Sequence, residues 1–278
     1  MAVTTSPQTP RPPVFALRRV AAVAIRHVHV TRRSPHRIFD IVVWPVVDSV
    51  LYGSIARYMH QTAGSAGSGR IALLVVSGII MWHVVYQAQI AVSTSFFEES
   101  YSRQLPALFA TPLRPGEWLL GAALQGMIKV VTGVTAVAIA VAVLYGFNVI
   151  DAGPGIVPVM ALLLLTGWAL AVVVAGLVLF LGSGSEALTW GLLFVILPLS
   201  GALYPVSALP AAIRPLSAVL PTTHTFNAAR TVAMGAATPW GQLAIAAAGT
   251  GALIAVALCF ASVALRVFWR RGFISRYL

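Results

Sequence analysis

The chain has 278 residues, 59% of them hydrophobic and 9% charged, with a formal net charge of +11 and a mean hydropathy of +0.89. A soluble domain carries about 25% charged residues, so this chain cannot clothe a water-facing surface. With one cysteine, Cys259, and no glycine period, it is also no disulfide scaffold, collagen or disordered chain. The positive charge is almost all arginine, with Lys129 the only lysine, and it sits at chain ends and loops rather than along one soluble face. That pattern describes a multi-pass, all-α integral membrane protein and gives no support to nucleic-acid binding.

In chain order, residues 1–13 are Pro-rich and read as a disordered leader. Residues 14–33 predict an amphipathic helix. At about 100° per residue, Arg18, Arg19, Arg26, His29 and Arg33 share one arc, opposite Leu17, Val20, Ala21, Ala24 and Val28. Such a helix lies in the cytoplasmic membrane interface with its guanidinium groups toward lipid phosphate. A transmembrane domain fills 34–278. A spanning helix needs roughly 20 apolar residues, and six stretches qualify: 37–58, 71–96, 118–147, 156–181, 187–206 and 240–265. Residues 207–239 are apolar but broken by Pro210, Pro215 and Pro221, and predict a re-entrant helical hairpin between the fifth and sixth spans. With both termini inside, thirteen arginines fall on the cytoplasmic side and four outside, which sets an N-in, C-in orientation.

Enzyme chemistry finds no support. Lys129 stands between Ile128 and Val130, so the Gly-x-x-x-x-Gly-Lys-Ser/Thr phosphate loop is missing. His27 and His29 are two apart on a helix and face different directions, which is poor spacing for a shared metal. No cofactor or metal is expected on this chain.

Two segments carry a family resemblance. The first runs from Glu98 to Gly121: the acidic pair Glu98-Glu99, Arg103, Thr111-Pro112, Arg114, Pro115, Glu117 and Leu119-Leu120-Gly121. The second is Pro221-Thr222-Thr223-His224, five residues, then Arg230, preceded by Leu193, Ile196, Leu199, Ser200, Ala202 and Leu209-Pro210. Both resemble ABC type-2 permeases, most closely the daunorubicin-type drug-resistance and nodulation-factor exporters; Ser102 departs from the glycine many relatives carry after the acidic pair. The resemblance implies a permease subunit in the cell membrane, that of a bacterium by this reading, exporting an amphipathic drug-like or lipid-like compound. It implies two separate cassette ATPase subunits that hold ATP and Mg, and a second permease subunit. It also implies that ATPase motion enters through the 98–117 loop and the interfacial helix. Glu98, Glu99, Arg103, Arg114 and Glu117 then read as a mixed-charge docking surface, or else as an ordinary solvated loop. Export of a lipid-linked polysaccharide, and an ion-coupled secondary transporter, are the alternative functions.

Charged residues at membrane depth are costly, at least about 2.5–3.5 kcal/mol each. Asp48, His83, Gln87 and Lys129 lie at similar distances along their helices and are expected to form an intramembrane polar cluster, with Asp48 paired to Lys129. That pair either sets helix register or lines the substrate route. Asp40 is expected to pair with local arginines. His224 and Arg230 mark the outer hairpin, as packing groups or as part of an exit gate.

Overall fold

The computed structural model describes residues 15–62, 68–102, 111–146, 153–182 and 186–270. The expected leader, Arg103 and residues 183–185 lie outside the described residues. Among those described there is no strand. The helices are α1 (Leu17–Arg32), α2 (Pro35–Thr62), α3 (Ser68–Tyr101), α4 (Pro115–Tyr145), α5 (Ile156–Leu181), α6 (Glu186–Leu199), α7 (Arg214–Val219), α8 (Pro221–Ala233) and α9 (Trp240–Arg270).

Five helices are long and apolar enough to cross a membrane: α2, α3, α4, α5 and α9. They match the first four expected spans and the sixth to within about two turns. The fifth differs. Expected over 187–206, it ends at Leu199, where Pro198 removes a backbone donor. Its 14 residues measure about 21 Å at 1.5 Å per residue, short of a hydrocarbon core of about 30 Å. A turn follows, with Gly201 at φ +69°. A side chain there would be strained and would also crowd Arg230 Nη2, 3.1 Å from the place of a Cβ.

α3 is the axis of the bundle. It packs against α2, α4, α5, α6 and α8 and is mostly buried, whereas α2, α4 and α9 turn apolar faces outward, including Trp44, Leu51, Leu124, Ile128, Ile245 and Val256. Without a hydrophobic gradient between helices and lipid, close contact over small residues does the packing; Gly167 of α5, for example, sits directly on Ala88 of α3. The expected pair of short helices after α6 is α7 and α8. α8 is drawn into the bundle against α3, α5 and α9, with Phe226 buried beside Trp82.

Pro45 lies inside α2 and cannot donate to the carbonyl four residues back. That carbonyl, Ile41 O, instead accepts from Gln87 Nε2 of α3 at 3.1 Å. The proline thus accounts for a buried glutamine at membrane depth.

Candidate functional site: a charge clamp at one end and an acidic cavity between helices

α1 crosses the ends of α3 and α4, and three ion pairs fasten that end of the bundle. Glu117, with no exposed surface, is gripped by Arg19 through Nε to Oε2 at 2.8 Å and Nη2 to Oε1 at 2.7 Å. The Ala16 and Arg114 amides donate to the same carboxylate at 2.8 and 3.0 Å. Glu99, 2% exposed, pairs with Arg26 at 2.8 Å, and Glu98 pairs with Arg37 at 2.9 Å. Lys129 lies near enough for its charge to act on Glu98, Arg37 and His27, though it forms no ion pair among the described residues.

Local sequence explains the clamp. Pro115 opens α4 in its first turn, where a missing amide hydrogen costs nothing. Glu117 sits in the same turn and caps it through the Arg114 amide. Gly121 then lets α1 approach: a Cβ at this position would stand 2.6 Å from Val23 Cβ and 2.9 Å from the Val20 carbonyl. Val20, Val23 and His27 are the buried stripe of α1. Leu17, Ala21 and Ile25 are exposed and form an outward apolar stripe, while Arg18, His29 and Arg33 are exposed on the polar side.

Two expectations are corrected here. Glu99 and Glu117 do not belong to a docking surface, because each is enclosed and neutralised within the chain; a buried carboxylate requires such a partner. Arg19 and Arg26 correspondingly face these glutamates rather than lipid phosphate. What this end does expose is the turn at Thr111 and Pro112 with the polar side of α1.

In the sequence His27 figures only with His29 as a poorly spaced metal pair, and nothing there marks it as buried. It is 5% exposed, edge-on to Trp118 with ring centroids 6.1 Å apart, and its Nε2 has no hydrogen-bond partner among the described residues. Glu99 Oε1 lies 3.9 Å away, beyond hydrogen-bond range, and is already held by Arg26. Burial, reinforced by the Arg26, Lys129 and Arg37 charges, pulls the His27 pKa from 6.5 down to about 4.

The expected membrane-depth cluster divides. Asp48 meets His83, Oδ2 to Nε2 at 3.6 Å, and Gln87 serves the Ile41 carbonyl. Lys129 makes no ion pair with Asp48 among the described residues. Asp40 is exposed and forms no ion pair among the described residues; Arg37 goes to Glu98 instead. Asp48 lies about 20 Å along α2 on the wall of a cavity of ≈ 420 Å³ between α2, α3 and α6. Six of the ten lining residues are aromatic and Asp48 is the only carboxylate. The cavity opens sideways, past Trp44, Trp190 and Phe194, which are 55%, 41% and 71% exposed.

The second motif is a knot of side-chain-to-backbone bonds. Arg230 donates to the Tyr204 carbonyl at 3.0 Å and to Asn227 Oδ1 at 2.8 Å. His224 Nε2 donates to the Ala218 carbonyl at 3.0 Å. Thr223 donates to the Ser217 carbonyl at 2.7 Å, and Ser217 in turn to the Leu199 carbonyl. Pro221 begins α8. These residues tie the end of α6, α7 and α8 together by satisfying carbonyls left free by the broken helices.

No curated protein matches the chain. The family model described as ABC-2 family transporter protein matches residues 52–266, from the second half of α2 to near the end of α9, leaving α1 and Asp48 outside the match. Five long apolar helices, a buried motif knot after α6 and this match over most of the chain have one meaning: the protein belongs to the ABC-2 transporter family, as the membrane subunit of an ABC transporter.

Proposed function

We propose that the chain is the permease subunit of an exporter that moves an amphipathic drug-like or lipid-like compound out of the cell, driven by two separate cassette ATPase subunits and completed by a second permease subunit. In this reading the α1 end faces the cytoplasm, as the thirteen-to-four arginine distribution favours. The membrane is the cytoplasmic membrane of a bacterium. The supporting observation is the clamp. Its three ion pairs join α1 and α2 to the ends of α3 and α4, so a push on the exposed Thr111–Pro112 turn moves α1 and three spans as one body. Docking falls to the exposed Thr111–Pro112 turn and the polar face of α1, not to the enclosed glutamates.

A cysteine at Thr111, in a Cys259→Ser background, tests this in membranes co-expressing the chain with a cassette ATPase encoded beside it. The expected result is a cross-link from Thr111→Cys to the ATPase, together with ATP-dependent export. Absence of any cassette ATPase from the purified complex, with transport insensitive to ATP, rejects the reading.

A further inference from the structure

We infer that the cavity between α2, α3 and α6 is a cradle for a monovalent organic cation with an apolar body, held by the Asp48 carboxylate and an aromatic wall. This names the cargo class and rests on the exporter reading above.

The carboxylate has His83 as its one ion-pair neighbour among the described residues, and neither lysine nor arginine pairs with it. His83 Nδ1 lies 2.8 Å from the Ile79 carbonyl, and a carbonyl only accepts, so Nδ1 carries the proton. Nε2 stands 3.6 Å from Asp48 Oδ2, too far for a hydrogen bond. Asp48 accepts no hydrogen bond among the described residues, and its side chain is 40% exposed into the cavity region. A charged group at this depth without compensation is costly, and such residues mark binding sites and pathways.

The surroundings select what compensates it. Trp44, Tyr52, Tyr86, Trp190 and Phe194 line the cavity around the single carboxylate, and aromatic faces attract cations. Tyr86 and Trp190 stand with ring centroids 6.0 Å apart, enough for an aromatic floor without closing the space. One carboxylate with no further oxygen or nitrogen cluster is no metal site; among the described residues no group of three metal-ligating side chains forms. A volume of ≈ 420 Å³ falls within the range of small-molecule sites, about 300–1,000 Å³.

The experiment uses the full chain alone in lipid nanodiscs, without ATPase, so that it reads the cradle separately from ATP-driven export. The probes are ethidium, a planar monocation, and 8-anilinonaphthalene-1-sulfonate, an apolar anion. Ethidium is expected to bind, and tetraphenylphosphonium to displace it while the sulfonate does not. Asp48→Asn should weaken ethidium binding at least tenfold, and Asp48→Glu should retain it within threefold. Should Asp48→Asn fail to fold, the displacement series on the unaltered chain decides: equal displacement by cation and anion overturns the proposal. Ethidium affinity unchanged in a folded Asp48→Asn variant does the same. Discs of phosphatidylglycerol alone are compared with discs containing phosphatidylethanolamine. Ethidium affinity lost only in the latter assigns the cradle to a lipid ammonium and overturns the cargo proposal. If the cradle behaves as expected but no ATPase associates, it is the exporter reading that fails.

Discussion

His27 makes the attachment of α1 sensitive to acid. With its pKa held at about 4 by burial and three neighbouring cations, the docked imidazole stays neutral, while a released α1 returns it to an ordinary value near 6.5. Above pH 6.5 both states are neutral and docking is at full strength. As pH falls through 6.5 the released helix gains a proton that the docked helix refuses. Docking therefore weakens continuously down to about pH 4, where the loss is complete. Each unit of pKa difference is worth about 1.4 kcal/mol. Between pH 7 and pH 5 the loss comes to about 2 kcal/mol, a change of about 20-fold in the ratio of docked to released α1. The window stops at pH 5 so that ordinary carboxylate titration does not intrude. Spin labels at exposed Ala22 on α1 and exposed Ser262 on α9, in a Cys259→Ser background, report the two states as two distances. The longer distance should grow on acidification, and His27→Gln should flatten the dependence while His29 and His36 remain. An identical pH profile in His27→Gln, or none in the parent, refutes the reasoning.

Three further outcomes follow from the clamp and the cavity. Gly121→Val should push α1 off α4 at a cost of about 1–3 kcal/mol, seen as the long spin-label distance at neutral pH and as ATP hydrolysis uncoupled from transport. Removing one partner of the Arg26–Glu99 pair should destabilise by about 1–3 kcal/mol, less than the usual 3–5 for a fully buried pair because Arg26 is 41% exposed. The double variant Arg26→Met/Glu99→Gln should recover part of that loss in thermal unfolding, and a double as costly as the summed singles contradicts the pairing. Asp48→Asn and Lys129→Met should be additive within about 0.5 kcal/mol, since the two side chains belong to different parts of the bundle; a larger coupling shows that they meet.

Composition and hydropathy made the membrane class and five long helices legible, because a span is a local property: about 20 apolar residues in a row answer to lipid wherever neighbours sit. The Glu98–Gly121 and Pro221–Arg230 motifs were legible as motifs for a similar reason, being short strings with fixed spacing. What those residues touch was not. The wheel of residues 14–33 put Arg19 and Arg26 on one arc with Arg18, His29 and Arg33, and it could not show that Arg19 and Arg26 turn to Glu117 and Glu99. A carboxylate and a lipid phosphate satisfy a guanidinium equally well, and only the crossing of α1 over α4 at Gly121 chooses. The length of α6 was misjudged because the apolar run continues past Pro198, where the backbone, not hydropathy, ends the helix. Asp48 and Lys129 looked like partners because rise per residue gives depth but not azimuth. The packing of α2 on α3 turns Asp48 toward His83 and the cavity, and Lys129 on α4 makes no ion pair with it. Sequence decided which segments enter the membrane; only tertiary packing decided which charges meet there, since an ion pair depends on the rotation of each helix about its own axis.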